Sequence, residues 1–367
     1  MPNRRIALIA SRFRDGGVER WMTRLADGLV QAGRACDLVI GESASGARLP
    51  PGASVWTPMA GESVQRLLHR YLDTQGGASV LMPFRTTDFS AVIRVARRRH
   101  ARPAVFLATG TFIRERIEGQ SRLAPRYWKA RWRLYRDWPR ADGLLAVSPE
   151  VAEDWRATGY FRADQIHAPT PPVVGPDLDT AARQPLDHPW FDDATIPIVL
   201  GVGRLHRQKG FDRLVTAVAR LRERRNVRLV LLGQGDEEAR LRAQAEALGI
   251  ADHVDFPGFV DNPWNWMRWA DVLVAPSRTE TFGFALGECL YVGTPFVADA
   301  GPPGPRSIQR ATGCGVLVDT SDADTLAKAI ERELDEAPPA EVLHRSALAF
   351  DSERSAREYL AIVDGQQ

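Results

Sequence analysis

Short apolar runs recur along the chain, each closed by a small-residue loop and followed by hydrophobics spaced three or four apart. Ile6–Ala10 is the first run. A loop with Gly16 and Gly17 follows, and then a helix from about Val18, with Met22, Leu25, Leu29 and Val30 on one face and Gly33 closing it. CDLVIG, SVWTPM, SVLMPF, AVFLATG and GLLAVS continue the strands. SVQRLLHRYL, DFSAVIRVARRRH and VAEDWRATG are the helices between them, the last with Ser148 as N-cap. Runs this short, apolar without alternation, suit strands buried on both faces. Strands that alternate with helices build a parallel sheet, which places the chain in the α/β class. HAPTPPVVGPDLDTAARQPLDHP breaks the pattern with prolines and polar residues and reads as a linker. The alternation then resumes with IPIVLGVG, VRLVLLGQG, HVDFPGFV, DVLVAPS, PFVAD and GVLVD, while AGPPGPRSI reads as a rigid loop.

Composition narrows the class. The 367 residues suffice for two cores of ordinary size, and 44% hydrophobic with 26% charged residues is a globular balance. No apolar run approaches the roughly 20 residues of a membrane span, and the apolar stretch near the N-terminus is too short for a signal-peptide core. Three scattered cysteines, Cys36, Cys289 and Cys314, fit a reduced cytoplasmic compartment. Seven histidines without ligand spacing, and no Cys-x-x-Cys, give no metal site. The net charge of +2 hides an asymmetry: residues 1–170 carry 27 Lys/Arg against 16 Asp/Glu, and the remainder 21 against 30. A basic first half can meet nucleic acid, an anionic membrane or a phosphorylated acceptor.

Chemistry concentrates in the second half, in Ser277–Asp299. A buried strand leads to Glu280, then to Thr281, Phe282 and Gly283, then to a mostly buried helix that carries Glu288, with seven residues between the two acids. A strand, a small-residue loop and a helix aim free backbone N–H groups at an anion. Two acids there would repel phosphate, but they suit the hydroxyls of a sugar and of a ribose. Taken alone, they could equally be solvated acids favoured by the helix dipole. The half opens with a second such loop: Gly203, then Arg204 and Lys209 five residues apart, at the C-terminal edge of a strand. Ligands bind at that edge in open α/β sheets. Arginine grips a diphosphate bidentately and lysine neutralises it. Cations that merely start a helix would oppose its dipole. GVGRLH lacks the third glycine of a dinucleotide fingerprint.

The E-x7-E spacing with the following GTP-hydrophobic-VA run, the VGRL-x3-KG of Val202–Gly210, the GG-x-E-R of Gly16–Arg20 and the LLGQGD loop together resemble the retaining family 4 glycosyltransferases over most of the chain. The resemblance implies the GT-B fold: two Rossmann-like, doubly wound domains facing a central cleft. An acceptor domain would occupy 1–170, a linker 171–195 and a donor domain 196–349, with the closing helix 350–367 packing back on the first domain. It implies metal-independent hexosyl transfer from a nucleotide-diphosphate sugar, UDP favoured and GDP possible, to a glycan or lipid-linked hydroxyl in bacterial cell-surface polysaccharide or glycolipid synthesis. No cofactor is implied. Arg204 and Lys209 would hold the diphosphate, Glu280 the donor sugar and Glu288 the ribose. Gly17, Gly203, Phe282, Gly283, Phe284, Ala285 and Leu286 would line the donor, and Phe259 and Val260 the base. Two departures stand out: Thr109, Gly110 and Thr111 occupy a neighbourhood where relatives often carry a histidine, and Ser307 takes an acidic position. A binding-only relative and a same-fold nucleotide-sugar epimerase are the alternatives.

Residues 121–140 interleave arginines with Tyr127, Trp128, Trp132, Tyr135 and Trp138. On a helix, Trp128, Trp132 and Tyr135 share a face, which suits a peripheral site on an anionic membrane surface. The bland alternative is a surface helix packed on its own domain. Basic-plus-aromatic composition also suits single strands, but no nucleic-acid fold motif accompanies it.

Overall fold

The computed structural model describes residues 4–13, 16–42, 52–75, 79–114, 125–191 and 195–365. Two compact units emerge: 1–175 with 350–367, and 176–349.

The first unit is built on β1 (Arg5–Ala10), α1 (Gly17–Gln31), β2 (Cys36–Ile40), β3 (Ser54–Trp56), α2 (Val64–Gln75), β4 (Ser79–Pro83), α3 (Phe89–Arg97), β5 (Ala104–Thr109), α4 (Pro125–Arg136), β6 (Gly143–Ala146), α5 (Pro149–Arg156) and β7 (Ile166–His167). The strands form one parallel sheet in the order β3-β2-β1-β4-β5-β6-β7. Ile6, Leu8 and Ile9 are fully buried, as strands covered by helices on both faces must be. Ser148 caps α5 as its spacing predicts, its Oγ accepting from the Val151 amide at 3.3 Å.

The second unit begins inside the stretch read as linker, because α6 (Pro176–Ala182) forms there. Asp177 and Asp179 in its first turn favour the helix start, and the Ala181 carbonyl accepts from Asn262 Nδ2 at 2.7 Å. There follow β8 (Ile198–Val202), α7 (Phe211–Arg222), β9 (Arg228–Leu232), α8 (Glu238–Ala247), β10 (Val254–Gly258), α9 (Pro263–Trp269), β11 (Val272–Ala275), α10 (Phe284–Tyr291), β12 (Phe296–Asp299), α11 (Pro303–Thr312), β13 (Val316–Val318), α12 (Ala323–Glu336) and α13 (Ala340–Ala347). The sheet runs β10-β9-β8-β11-β12-β13, again all parallel. Phe211, Leu214, Val218 and Leu221 of α7 pack with Leu326 and Ile330 of α12 in one core over it. The AGPPGPRSI stretch is therefore not a loop throughout. Pro303 and Pro305 stand in the first turn of α11, where a missing N–H costs no intrahelical bond.

The last helix, α14 (Ser352–Val363), belongs to the first unit and lies against α1. Trp21 Nε1 donates to Tyr359 Oη at 2.9 Å, and Arg34 pairs with Asp364 at 2.5 Å with both side chains buried. Val173 and Val174 hydrogen-bond the Phe350 carbonyl, so the two strands of chain passing between units lie side by side.

The aromatic-basic segment is helical over Pro125–Arg136; 121–124 and the side chains of Arg126, Tyr127, Lys129 and Arg133 lie outside the described residues. Trp128, Trp132 and Tyr135 are 60, 49 and 62% exposed, whereas Trp138 leaves their company. It sits in a following short helical turn, buried, its Nε1 donating to Ser90 Oγ at 3.1 Å and its ring edge-on to Phe89. The helix ends before residue 138 and contains the three residues of the predicted face.

At Gly28 of α1 a β-carbon would fall 2.0 Å from the Ser352 carbonyl oxygen. Gly28→Ala must therefore push α14 off α1, at a cost of about 1–3 kcal/mol typical of overpacking. Urea unfolding followed by tryptophan fluorescence and circular dichroism should show the loss; an unchanged midpoint would mean the helices are not in backbone contact.

Candidate functional site

Each sheet has one position where strand order reverses: between β1 and β4 in the first, between β8 and β11 in the second. Loops leaving the two strands diverge there and open a crevice at their C-terminal ends. In the second unit those loops carry Gly203 to Gly210 and Pro276 to Gly283.

Glycines let these loops approach closely. A β-carbon on Gly233 would meet the Gly203 carbonyl at 1.9 Å, and one on Gly210 would meet the Pro276 carbonyl at 2.1 Å; both residues hold positive φ. Main-chain bonds then lace the strand ends together: Gly203 N to Leu232 O at 2.9 Å, Leu205 N to Gln234 O at 2.9 Å and Gly233 N to Gly258 O at 2.8 Å. The Lys209 stem passes over Gly203, where a β-carbon would lie 3.3 Å from Cε.

Lys209 Nζ and Glu280 Oε2 meet at 2.5 Å, with 26 and 18% of the side chains exposed. Cation and acid, read from sequence as ligands of different parts of one substrate, thus hold each other. The Glu280 carbonyl accepts from the Gly304 amide at 3.1 Å, and a β-carbon on Gly304 would strike the Phe282 backbone at 2.6 to 2.7 Å, which brings the start of α11 against the turn. Helix α10 begins at Phe284, directly after Thr281, Phe282 and Gly283, with Gly283 at φ 93° as its cap. Leu286 N already donates to Gly283 O at 2.9 Å, which removes it from the expected free donors; Phe284 and Ala285 remain in the open first turn. Phe282 is buried, its ring 5.2 Å from that of Phe284.

Glu288 lies one turn into α10 and is 1% exposed. The Cys289 thiol is pushed well up by burial and further by the Glu288 charge, so it stays protonated and inert. Arg204 is exposed, with no side-chain hydrogen bond or ion pair among the described residues. Phe259, 49% exposed, and half-buried Val260 follow the positive-φ Gly258 at the end of β10.

One part of the arrangement escaped sequence reading. Arg278 spans from Asp212, at 2.8 and 2.7 Å through its two terminal nitrogens, to the Arg207 carbonyl at 2.8 Å. No spacing rule joins residues 66 apart; the only sequence hint is a pair of opposite charges in two loops already marked as site-bearing.

In the first unit Gly17 opens α1. Glu19 on that helix pairs with Arg85, whose Nε donates to the Arg12 carbonyl at 2.8 Å. Thr109, where a histidine is absent, is buried and accepts from the Thr111 amide at 3.1 Å. Asp154 accepts from the Ile113 amide at 2.6 Å and from Arg114 Nε at 2.8 Å, which pins the segment after β5 to α5. No group of three or more metal-ligating side chains occurs among the described residues, and no described helix is long and apolar enough to cross a membrane.

Residues 188–348 match the profile of the glycosyl transferases group 1 family. The lipopolysaccharide core biosynthesis glycosyltransferase LpsE of Rhizobium meliloti (strain 1021) is 30% identical over 332 residues, spanning 87% of this chain and 86% of LpsE. The chain belongs to the group 1 glycosyltransferases. Solved structures agree on the fold. WaaG, a glycosyltransferase involved in lipopolysaccharide biosynthesis, superposes with a TM-score of 0.73 at 18% identity, covering 98% of this chain and 100% of WaaG. Anabaena HepE, solved with UDP and glucose, gives 0.73 at 18% identity, covering 99% and 100%. The architecture is accordingly GT-B. The family match lies almost wholly in the second unit, where Lys209, Glu280, Gly203 and the start of α10 come together.

Proposed function

We propose that the protein is a retaining glycosyltransferase that moves a hexose from a nucleotide-diphosphate sugar to a hydroxyl of a lipopolysaccharide-core or related glycolipid acceptor. The observation that carries this reading is the Lys209–Glu280 pair at the switch point of the second sheet, beside the open turn of α10. Arg204 and Lys209 bind the diphosphate and stabilise charge developing on it as the sugar departs, assisted by the Phe284 and Ala285 amides. Glu280 holds the sugar hydroxyls, and Glu288 holds the ribose. No metal is assigned to the reaction; Arg204, Lys209 and the open turn of α10 are the groups offered to the leaving diphosphate. UDP is favoured because HepE, of the same fold, is solved with UDP and with UDP-glucose. The acceptor class follows from LpsE and LpsD of Rhizobium meliloti, both lipopolysaccharide core enzymes by name. The first unit takes the acceptor. The exposed Trp128, Trp132 and Tyr135 face, with Arg131 and Arg136 stacked over Tyr135 and Trp132, rests on an anionic membrane surface. The absence of a histidine near Thr109 favours a binding-only relative; release of UDP from UDP-sugars in the presence of lipid-linked acceptor separates the two.

Lys209→Ala should lower kcat by about 10² with the fold intact, as removal of other preorganised charge-stabilising groups does; a full rate in steady-state assay would remove that role. Glu288→Ala should raise the donor KM strongly, and an unchanged KM would take the ribose away from it. Trp128→Ala with Trp132→Ala should weaken sedimentation with phosphatidylglycerol vesicles, and equal binding would return the helix to a solvated surface.

A further inference from the structure

The loop that bears Lys209 and the loop that bears Glu280 leave the neighbouring strands β8 and β11, and past the strand ends no ladder of regular structure joins them among the described residues. What joins them is a cluster around one guanidinium. Arg278 stands two residues before Glu280, and Asp212 three after Lys209. The two terminal nitrogens of Arg278 take both Asp212 oxygens, and one of them also reaches the Arg207 carbonyl. Its own backbone amide donates to the Gln208 carbonyl at 2.8 Å, and Gln208 Nε2 returns a bond to Thr279 Oγ1 at 2.6 Å.

We propose that Arg278 and Asp212 are positioning residues for sugar transfer, a clasp that sets Lys209 against Glu280. The inference rests on the roles proposed above for those two residues. Its geometry fits the job. A planar fork bound at both ends fixes distance and orientation together, which an ammonium on a flexible stem cannot do. Asp212 is itself held: its carbonyl accepts from Gln244 Nε2 at 2.8 Å, and Arg240 approaches its carboxylate at 3.9 Å. The hydrogen bonds from Arg278 keep the Asp212 carboxyl below its ordinary range, so the pair stays charged at neutral pH. The next residue, Arg213, reaches Asp299 at 3.1 Å and Thr320 Oγ1 at 2.9 Å. The first turn of α7 thus anchors both the Glu280 loop and the start of the loop that leads to α11, whose Gly304 amide meets the Glu280 carbonyl. Neither Arg278 nor Asp212 is assigned a contact with substrate. They act through the two residues that have one.

Two measurements on the full chain decide the matter. The first is amide hydrogen exchange without ligand, comparing wild type with Arg278→Ala and Arg278→Lys. Protection should fall about tenfold in 207–210 and 277–280 while the β8 and β11 amides keep theirs; unchanged protection in both loops overturns the clasp. The second is a double-mutant cycle on kcat with Lys209→Ala. Arg278→Ala alone should cost about tenfold or more, yet less than about twofold when Lys209 is already Ala, because its effect passes through that side chain. Equal losses in both backgrounds, or an unchanged kcat with only a lowered Tm, also overturn it. Should wild type release no nucleoside diphosphate from UDP- or GDP-sugars with lipid-linked acceptor present, the functional reading fails, and the exchange experiment still decides the clasp.

Discussion

The ion pair between Lys209 and Glu280 depends on two strand-end loops that touch at the level of their backbones. Gly210 stands where a β-carbon would occupy the Pro276 carbonyl, and Gly233 where one would occupy the Gly203 carbonyl. With a larger residue at Gly210 the Lys209 and Glu280 loops would separate by about an ångström, and a bond of 2.5 Å has no such slack. The glycines are therefore steric conditions of the site as much as conformational ones. The same logic extends to Gly304, which lets the start of α11 reach the Phe282 backbone. A parallel sheet supplies the crevice by topology. Glycine makes it narrow enough for side chains from both walls to meet.

Much of this was legible in sequence, and for a local reason. The strands β1, β5, β8, β11 and β12 are short, mostly apolar runs, so each announces itself within six residues. Their order also puts the Arg204–Lys209 loop at the C-terminal edge of the strand that opens the second half, which is where the crevice lies. The failures share a cause as well. AGPPGPRSI looks like a loop because prolines end helices, but at the first turn they begin them, and only the structure shows which turn it is. The stretch read as linker hides α6 because seven residues are too few for periodicity to speak. Trp138 lies in the same aromatic-basic segment, but the helix has ended before it and its ring is buried. Arg278 and Asp212 could not be paired at all, since their contact is a product of the sheet and of no local pattern.

The pairing of Lys209 with Glu280 also changes how the site would recognise its donor. Arg204, Lys209, Glu280 and Glu288 sum to no net charge, so a diphosphate would not be drawn in by the field of these four side chains. Recognition has to come from arrangement. Arg204, exposed and uncommitted among the described residues, is the cation available to an incoming phosphate, while Lys209 must be shared with an acid already bound to it. A bare diphosphate placed near Lys209 would also lie near Glu280, whose charge opposes the attraction of Lys209. A sugar on that diphosphate changes the balance. Its hydroxyls donate to Glu280, an ionised acceptor whose hydrogen bonds are among the stronger ones available. On the proposed reading the acid therefore discriminates in favour of the intact donor and against the nucleotide left after transfer. A site built this way would hold its substrate more firmly than its product.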